Sequence, residues 1–158
     1  MERVRLRAGG WLGESDREFF DHQVEILRGA GLEDRFEYAG QMSRREKLDF
    51  LRDLDVFSVP TVYREAKGLF VLEALASGVP VVQPDHGAFP ELLEATGAGV
   101  LFPPEDPGAL ADAIQEMLSD PDRRRELGRR GSERVRKEFS AETMARRTLQ
   151  VYRKFVNS

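Results

Sequence analysis

Short apolar runs that stop at glycine or proline alternate along this chain with longer stretches whose apolar residues recur every three or four positions. The first run, VRLRAGG from Val4 to Gly10, reads as a strand feeding into glycine. Ser15 and Glu18 then have the spacing of a capping box, which predicts a helix of about four turns ending at Gly29 to Gly31. RFEYAG is the next strand, and Ser43 with Glu46 repeats the helix-start signal. DVFSVP, from Asp55 to Pro60, reads as a third strand closed by proline. A helix over Leu69 to Ser77 follows, then PVVQP as a fourth strand, GVLFPP as a fifth, and the helix DPGALADAIQEMLSD. Strands alternating with helices predict an α/β fold, a doubly wound parallel sheet covered on both faces. Such sheets bind ligands beyond the carboxyl ends of their strands. That selects the loops Ala8 to Gly13, Gly40 to Ser43, Pro60 to Gly68 and Gln83 to Pro90.

The rest, Asp106 to Phe155, is a helical, highly charged C-terminal segment with DRRRELGRRGSERVRKEF at its centre. Glu126, Glu133 and Glu138 are interspersed among its arginines, which favours a solvated helix over a nucleic-acid surface. The final helix, capped at Ser140, carries Met144, Ala145, Thr148, Val151, Tyr152 and Phe155 on one stripe. A stripe of this kind needs a packing partner, and a homodimer through this helix is one expectation. Composition points the same way on fold class: 158 residues, 41% hydrophobic, 33% charged and net charge -4 suit one soluble domain spanning residues 1–158 and no nucleic-acid partner. The absence of cysteine excludes disulfides and thiolate chemistry, and His22 and His86 alone make a poor metal site. No stretch approaches the roughly 20 apolar residues of a membrane span, and the N-terminus has no signal-peptide pattern, so the expected location is cytoplasmic.

Candidate chemistry concentrates in REAKGLFVLEALASGVPVV, Arg64 to Val82, where Glu65 and Glu73 stand in apolar surroundings. Amphipathic spacing alone explains Glu73, which falls nearly opposite Val71 and Leu75 on a helical wheel, and Glu65 read in isolation is an ordinary loop charge. The position of Glu65 after the third strand is where this topology expects a ligand. A helix starting near Gly68 turns its first, unpaired backbone N–H groups toward the same crevice, where they suit an anion such as phosphate. Carboxylates on either side of a phosphate site are badly placed for the phosphate and well placed to accept hydrogen bonds from sugar hydroxyls. A nucleotide-sugar fits both requirements.

DVFSVPTVYREAKGLFVLEALASGVPVVQPDHGAFPELL resembles the donor-binding region of the group 1 retaining glycosyltransferases of the GT-B fold. The family signature is a glutamate, seven residues, a second glutamate, a small-residue turn matching GVPVV, and a PE pair; all occur here in order. LRAGG, FEYAGQMSRREKLDFLRDLD and the charged C-terminal segment extend the likeness over nearly the whole chain. The resemblance implies a Rossmann-like donor-binding domain with a nucleoside-diphosphate sugar as donor substrate and no cofactor. Glu73 would hold the ribose and Glu65, the candidate catalytic residue, would contact the transferred sugar. By the same resemblance the backbone of Gly68 and Leu69 would receive the diphosphate, while Gly40, Gln41 and Met42 lie along the base. This chain departs from the family pattern at Ala66 and Lys67, where Lys67 either adds a phosphate contact or reaches solvent. His86 replaces a small residue and is expected as an exposed loop histidine. The family's enzymes carry a further N-terminal acceptor domain, and VRLRAGG resembles the second strand of the donor domain, so its first strand has no counterpart here. The expectation is an open seam, or VRLRA paired with DVFSV. Three readings follow: a fragment that cannot transfer sugar alone, one half of a split glycosyltransferase completed by a partner chain, or a non-catalytic nucleotide-binding or interaction module.

Overall fold

The computed structural model describes residues 4–156, which divide into two compact units, one up to Lys47 and one from Leu48. In the first unit β1 (Leu6–Ala8) and β2 (Phe36–Tyr38) pair in parallel, Leu6 opposite Phe36 and Ala8 opposite Tyr38. The crossover between them is α1 (Arg17–Gly29), as parallel strands require. Phe20 of α1 covers the pair, its ring centroid 6.0 Å from Phe36 and 4.9 Å from Tyr38. The expected Ser15 and Glu18 capping box does not form. Ser15 lies inside a 3-10 turn, Glu14–Asp16, opened by the bond from the Asp16 N–H to the Gly13 carbonyl, so it is already coiled where a cap must be extended.

The helix α2 (Arg44–Arg52) does carry the reciprocal box: the Ser43 N–H donates to Glu46 Oε2 at 2.8 Å and the Glu46 N–H to Ser43 Oγ at 3.4 Å.

The second unit is built around β3 (Val81–Pro84), buried along its whole length and paired in parallel with β4 (Gly99–Phe102). Alternation puts Val82, Val100 and Phe102 on one face, where they pack with Met117 and Ile114 of α5 (Pro107–Ser119). Val81 and Gly99 face the other way, toward Leu93 of α4 (Phe89–Thr96). On that side α3 (Leu69–Ala76) buries Val71, Ala74 and Leu75. The fold is therefore α/β with parallel strands, distributed over two two-stranded sheets. The pairing of VRLRA with DVFSV is not among the ladders.

The expected third strand contracts to one bridge, Phe57 with Val81. The Phe57 N–H donates to the Pro80 carbonyl and the Val82 N–H to the Phe57 carbonyl, at 3.0 Å each. The next pair in a parallel ladder would need an N–H at position 84, and Pro84 has none. The Val59 N–H turns instead to the side-chain Oε1 of buried Gln83, at 3.3 Å.

The charged C-terminal segment forms α6 (Pro121–Glu138) and α7 (Ala141–Val156), with Ser140 Oγ accepting from the Thr143 N–H. Arg129 bridges Glu126 and Glu133 on the solvated side of α6, while its buried face is Gly128, Gly131 and Val135. A Cβ at Gly128 would lie 2.0 Å from the Gly78 carbonyl oxygen, and one at Gly131 2.9 Å from Leu75 Cδ2, so the glycines set how closely α6 approaches α3. On α7, Met144, Val151, Tyr152 and Phe155 are exposed. No described helix is long and apolar enough to cross a membrane.

Gly128→Ala is expected to lower stability by at least about 2 kcal/mol through overpacking against fixed backbone. Arg129→Ala, which removes only exposed ion pairs, should cost much less. Urea denaturation midpoints of the two variants test the ordering, and equal losses would contradict it.

Candidate functional site

Freed from the ladder after Val59, the chain turns at Thr61, whose Oγ1 accepts from the Tyr63 N–H at 3.1 Å, and runs through exposed Val62 and Tyr63 to Glu65. The half-buried Glu65 carboxylate folds back on its own segment. Oε1 accepts from the Lys67 N–H at 2.9 Å and from the Gly68 N–H at 3.1 Å. These two backbone donors favour the charged form and hold the carboxyl below its ordinary pKa. Gly68 then enters α3 in the left-handed region, φ 61° and ψ 40°, with no space for a side chain: a Cβ would meet Leu92 Cδ1 at 2.7 Å.

This arrangement corrects one expectation. The Gly68 N–H is not open to an anion, because Glu65 already occupies it. Open N–H groups begin one residue later: those of Leu69 and Phe70 have no partner among the described residues. Leu69 itself is exposed. Glu73 is half-buried in the second turn of α3, about 6 Å along the axis from Leu69 at the usual rise per residue.

A second loop, Asp85 to Ala88 beyond the carboxyl end of β3, holds the first in place. The Ala88 N–H donates to the Glu65 carbonyl at 2.8 Å. Gly87 lies against the same backbone, where a Cβ would stand 2.7 Å from the Glu65 carbonyl oxygen and 2.8 Å from its nitrogen, and its φ of 59° excludes most side chains independently. His86 differs from the exposed histidine expected. It is half-buried, its ring 5.9 Å from Phe89, with Nε2 2.9 Å from the Thr61 carbonyl oxygen. A carbonyl only accepts, so Nε2 carries the hydrogen of this bond, while the buried Nδ1 has no partner among the described residues. Glu65, Lys67, Gly68, Leu69 and Glu73 thus all lie on the entrance and first turns of α3.

Gly40, Gln41 and Met42 belong to the first unit. There the Gly10 N–H donates to the Gly40 carbonyl at 2.9 Å and the Tyr38 hydroxyl to the Gly10 carbonyl at 2.6 Å, which joins the loops after β1 and β2. Gln41 is exposed and Met42 half-buried. Lys67 borders a groove of about 410 Å³ between its loop, α4 and the α6–α7 turn, which Glu91, Arg134 and Arg147 also line and which contains neither Glu65 nor Glu73. Sequence reasoning did not find the roles of Thr61, Gly87 and Ala88. The loop Gln83 to Pro90 was selected by topology, but nothing local indicates which backbone Gly87 and Ala88 meet.

Comparison with known proteins agrees with this architecture. The family model described as Glycosyl transferases group 1 matches residues 4–134. The D-inositol 3-phosphate glycosyltransferase of Kineococcus radiotolerans is 34% identical over 98% of this chain and 37% of its own length. The alpha-maltose-1-phosphate synthase of Mycolicibacterium smegmatis is 40% identical over 67% of this chain and 29% of its own. Among solved structures, sucrose-phosphate synthase from Thermosynechococcus elongatus superposes with a TM-score of 0.83 at 32% identity, over 98% of this chain and 39% of that one. The chain therefore spans well under half the length of these relatives.

The two backbone bonds to Glu65 predict a pH signature. Its folded pKa lies below the unfolded value of about 4.3, so its contribution to stability is complete above that value and is lost as pH falls through the folded one. The stability difference between the parent and Glu65→Gln should therefore shrink as denaturation is repeated from pH 7 down to pH 3. A difference independent of pH would show that the charge is not what these bonds hold.

Proposed function

We propose that this chain, which belongs to the group 1 glycosyl transferases, is the domain that binds a nucleoside-diphosphate sugar, from which sugar is transferred to an acceptor with retention of configuration. The transfer is proposed for this domain acting with the further length that its relatives carry. One observation carries the reading: an ionised carboxylate is fixed at the mouth of α3 beside two open backbone N–H groups, eight residues ahead of a second glutamate on the same helix. A diphosphate accepts hydrogen bonds and suits the N–H groups of Leu69 and Phe70 at a helix start. Sugar hydroxyls donate, and suit Glu65.

In this reading Glu65 uses Oε1 to fix its own orientation and offers Oε2 to a hydroxyl of the transferred sugar. Its role is positioning, together with stabilisation of the positive charge that develops at the anomeric carbon. Glu73 accepts hydrogen bonds from the ribose, and Lys67 supplies a cation near the phosphates. A phosphate reaching the Gly68 N–H must first displace the Glu65 carboxylate, so Leu69 is the first donor it meets without competition. For Gly40, Gln41 and Met42 as base contacts the support is the family resemblance alone.

Isothermal titration calorimetry with UDP, GDP, ADP and the corresponding nucleotide-sugars tests the reading. Glu73→Ala should weaken binding of nucleotide and nucleotide-sugar alike by about 1 to 3 kcal/mol through lost hydrogen bonds to ribose. Glu65→Ala should weaken the nucleotide-sugar more than the free diphosphate. Unchanged affinity in the first variant, or equal losses for both ligands in the second, would remove the corresponding glutamate from its role.

A further inference from the structure

We propose that His86 is a positioning residue for Glu65: through the bond from Nε2 to the Thr61 carbonyl it fixes the loop that presents the carboxylate, without touching the ligand itself. The proposal rests on Glu65 contacting the sugar.

Between the Val59 bond to Gln83 and the start of α3 the loop has no ladder to hold it. It is tied to the Asp85–Ala88 segment at two carbonyls four residues apart, Thr61 by His86 and Glu65 by the Ala88 N–H. The residues between those ties, Val62, Tyr63 and Arg64, are exposed. A shift at Thr61 therefore passes along three exposed residues, one of them, Tyr63, tied to Thr61 itself, to Glu65. The histidine is suited to the task because its own position is set by the core: its ring meets Phe89, which is fully buried, and Phe89 continues into the row of Phe70 and Phe57. Gly87, the next residue, brings the two backbones to contact distance, so the geometry of both ties is determined within one short turn. A side chain at position 86 that cannot donate leaves the Thr61 carbonyl without its bond and releases one of the two ties.

The test compares His86→Leu, which cannot donate, with His86→Gln, whose amide nitrogen has similar reach. Two measurements are made on each. In amide hydrogen exchange, His86→Leu should reduce protection of the Lys67 and Gly68 N–H groups on the order of tenfold, with β3 and α6 unchanged, and His86→Gln should restore it. Unchanged protection at Lys67 and Gly68, or an equal loss over β3 and α6, would overturn the proposal, the latter by showing that His86 serves only global stability. In calorimetry, His86→Leu should weaken a nucleotide-sugar that the parent binds several-fold more than the matching free diphosphate, with the ratio recovered in His86→Gln. If Glu65→Ala moves that ratio and His86→Leu does not, the positioning role is refuted. If Glu65→Ala leaves the ratio unmoved, the sugar-contact reading has failed by itself, and the exchange measurement still decides whether His86 holds the loop.

Discussion

One missing hydrogen shapes the second unit. Phe57 makes both bonds of a parallel bridge, to the Pro80 carbonyl and from the Val82 N–H on either side of Val81, and the next pair would require the N–H that Pro84 does not possess. On its other side β3 needs no donor from Pro84, and the ladder to β4 runs on through the Pro84–Phe102 pair. The Val59 N–H is part-buried, and the fully buried Gln83 amide supplies its acceptor. A fully paired segment would have carried residues 59 to 61 onward in the sheet. Released after one bridge, it turns at Thr61 and doubles back toward α3, and Glu65 is presented on that return.

A loop released from a sheet must be held by other means, and here it is held mainly by backbone contact. The loops following the Phe57 bridge and β3 meet at Glu65 and Gly87, with the Ala88 N–H closing the contact. The Glu65 side chain completes the clamp by taking two N–H groups that precede α3. Fixing the carboxylate in its ionised form also removes one donor from the anion-binding set at the helix start. The same geometry therefore separates the two functions proposed for this region, with carboxylate chemistry before Gly68 and open N–H groups after it.

How much of this was legible in the sequence depended on how far each cause lay from its effect. Ser43 with Glu46, and Ser140 at α7, act within one turn and were readable from spacing. Ser15 with Glu18 has the same spacing but fails, because an earlier turn opened by the Gly13 carbonyl absorbs the serine. The end of the third strand was set by Pro84, 27 residues after Phe57, and the surroundings of His86 by Thr61 on another loop. The buried face of α6 escaped for a different reason: two of its three buried residues are Gly128 and Gly131, beside Val135, and glycines give no hydrophobic signal. Glu65 and Gly68 were legible as a loop carboxylate and a helix-entry glycine from their place after a strand and before a helix; the pairing of Glu65 with its own backbone was not.

The glycine face of α6 also bears on the site. Ser132 Oγ donates to the Ala76 carbonyl at 3.1 Å, and Gly128 lies against the Gly78 carbonyl just beyond it, so α6 anchors the C-terminal end of α3. At the other end Gly68 packs on Leu92, and its N–H is held by Glu65. The helix is thus fixed at both ends by contacts that do not use the Glu73 carboxylate, while Val71, Ala74 and Leu75 fill its core side. A short helix located in this way needs little from its own capping or propensity. Its position is inherited from neighbours at both ends, so the entrance that Glu65 and Gly68 form is held from outside the helix as well as from within it.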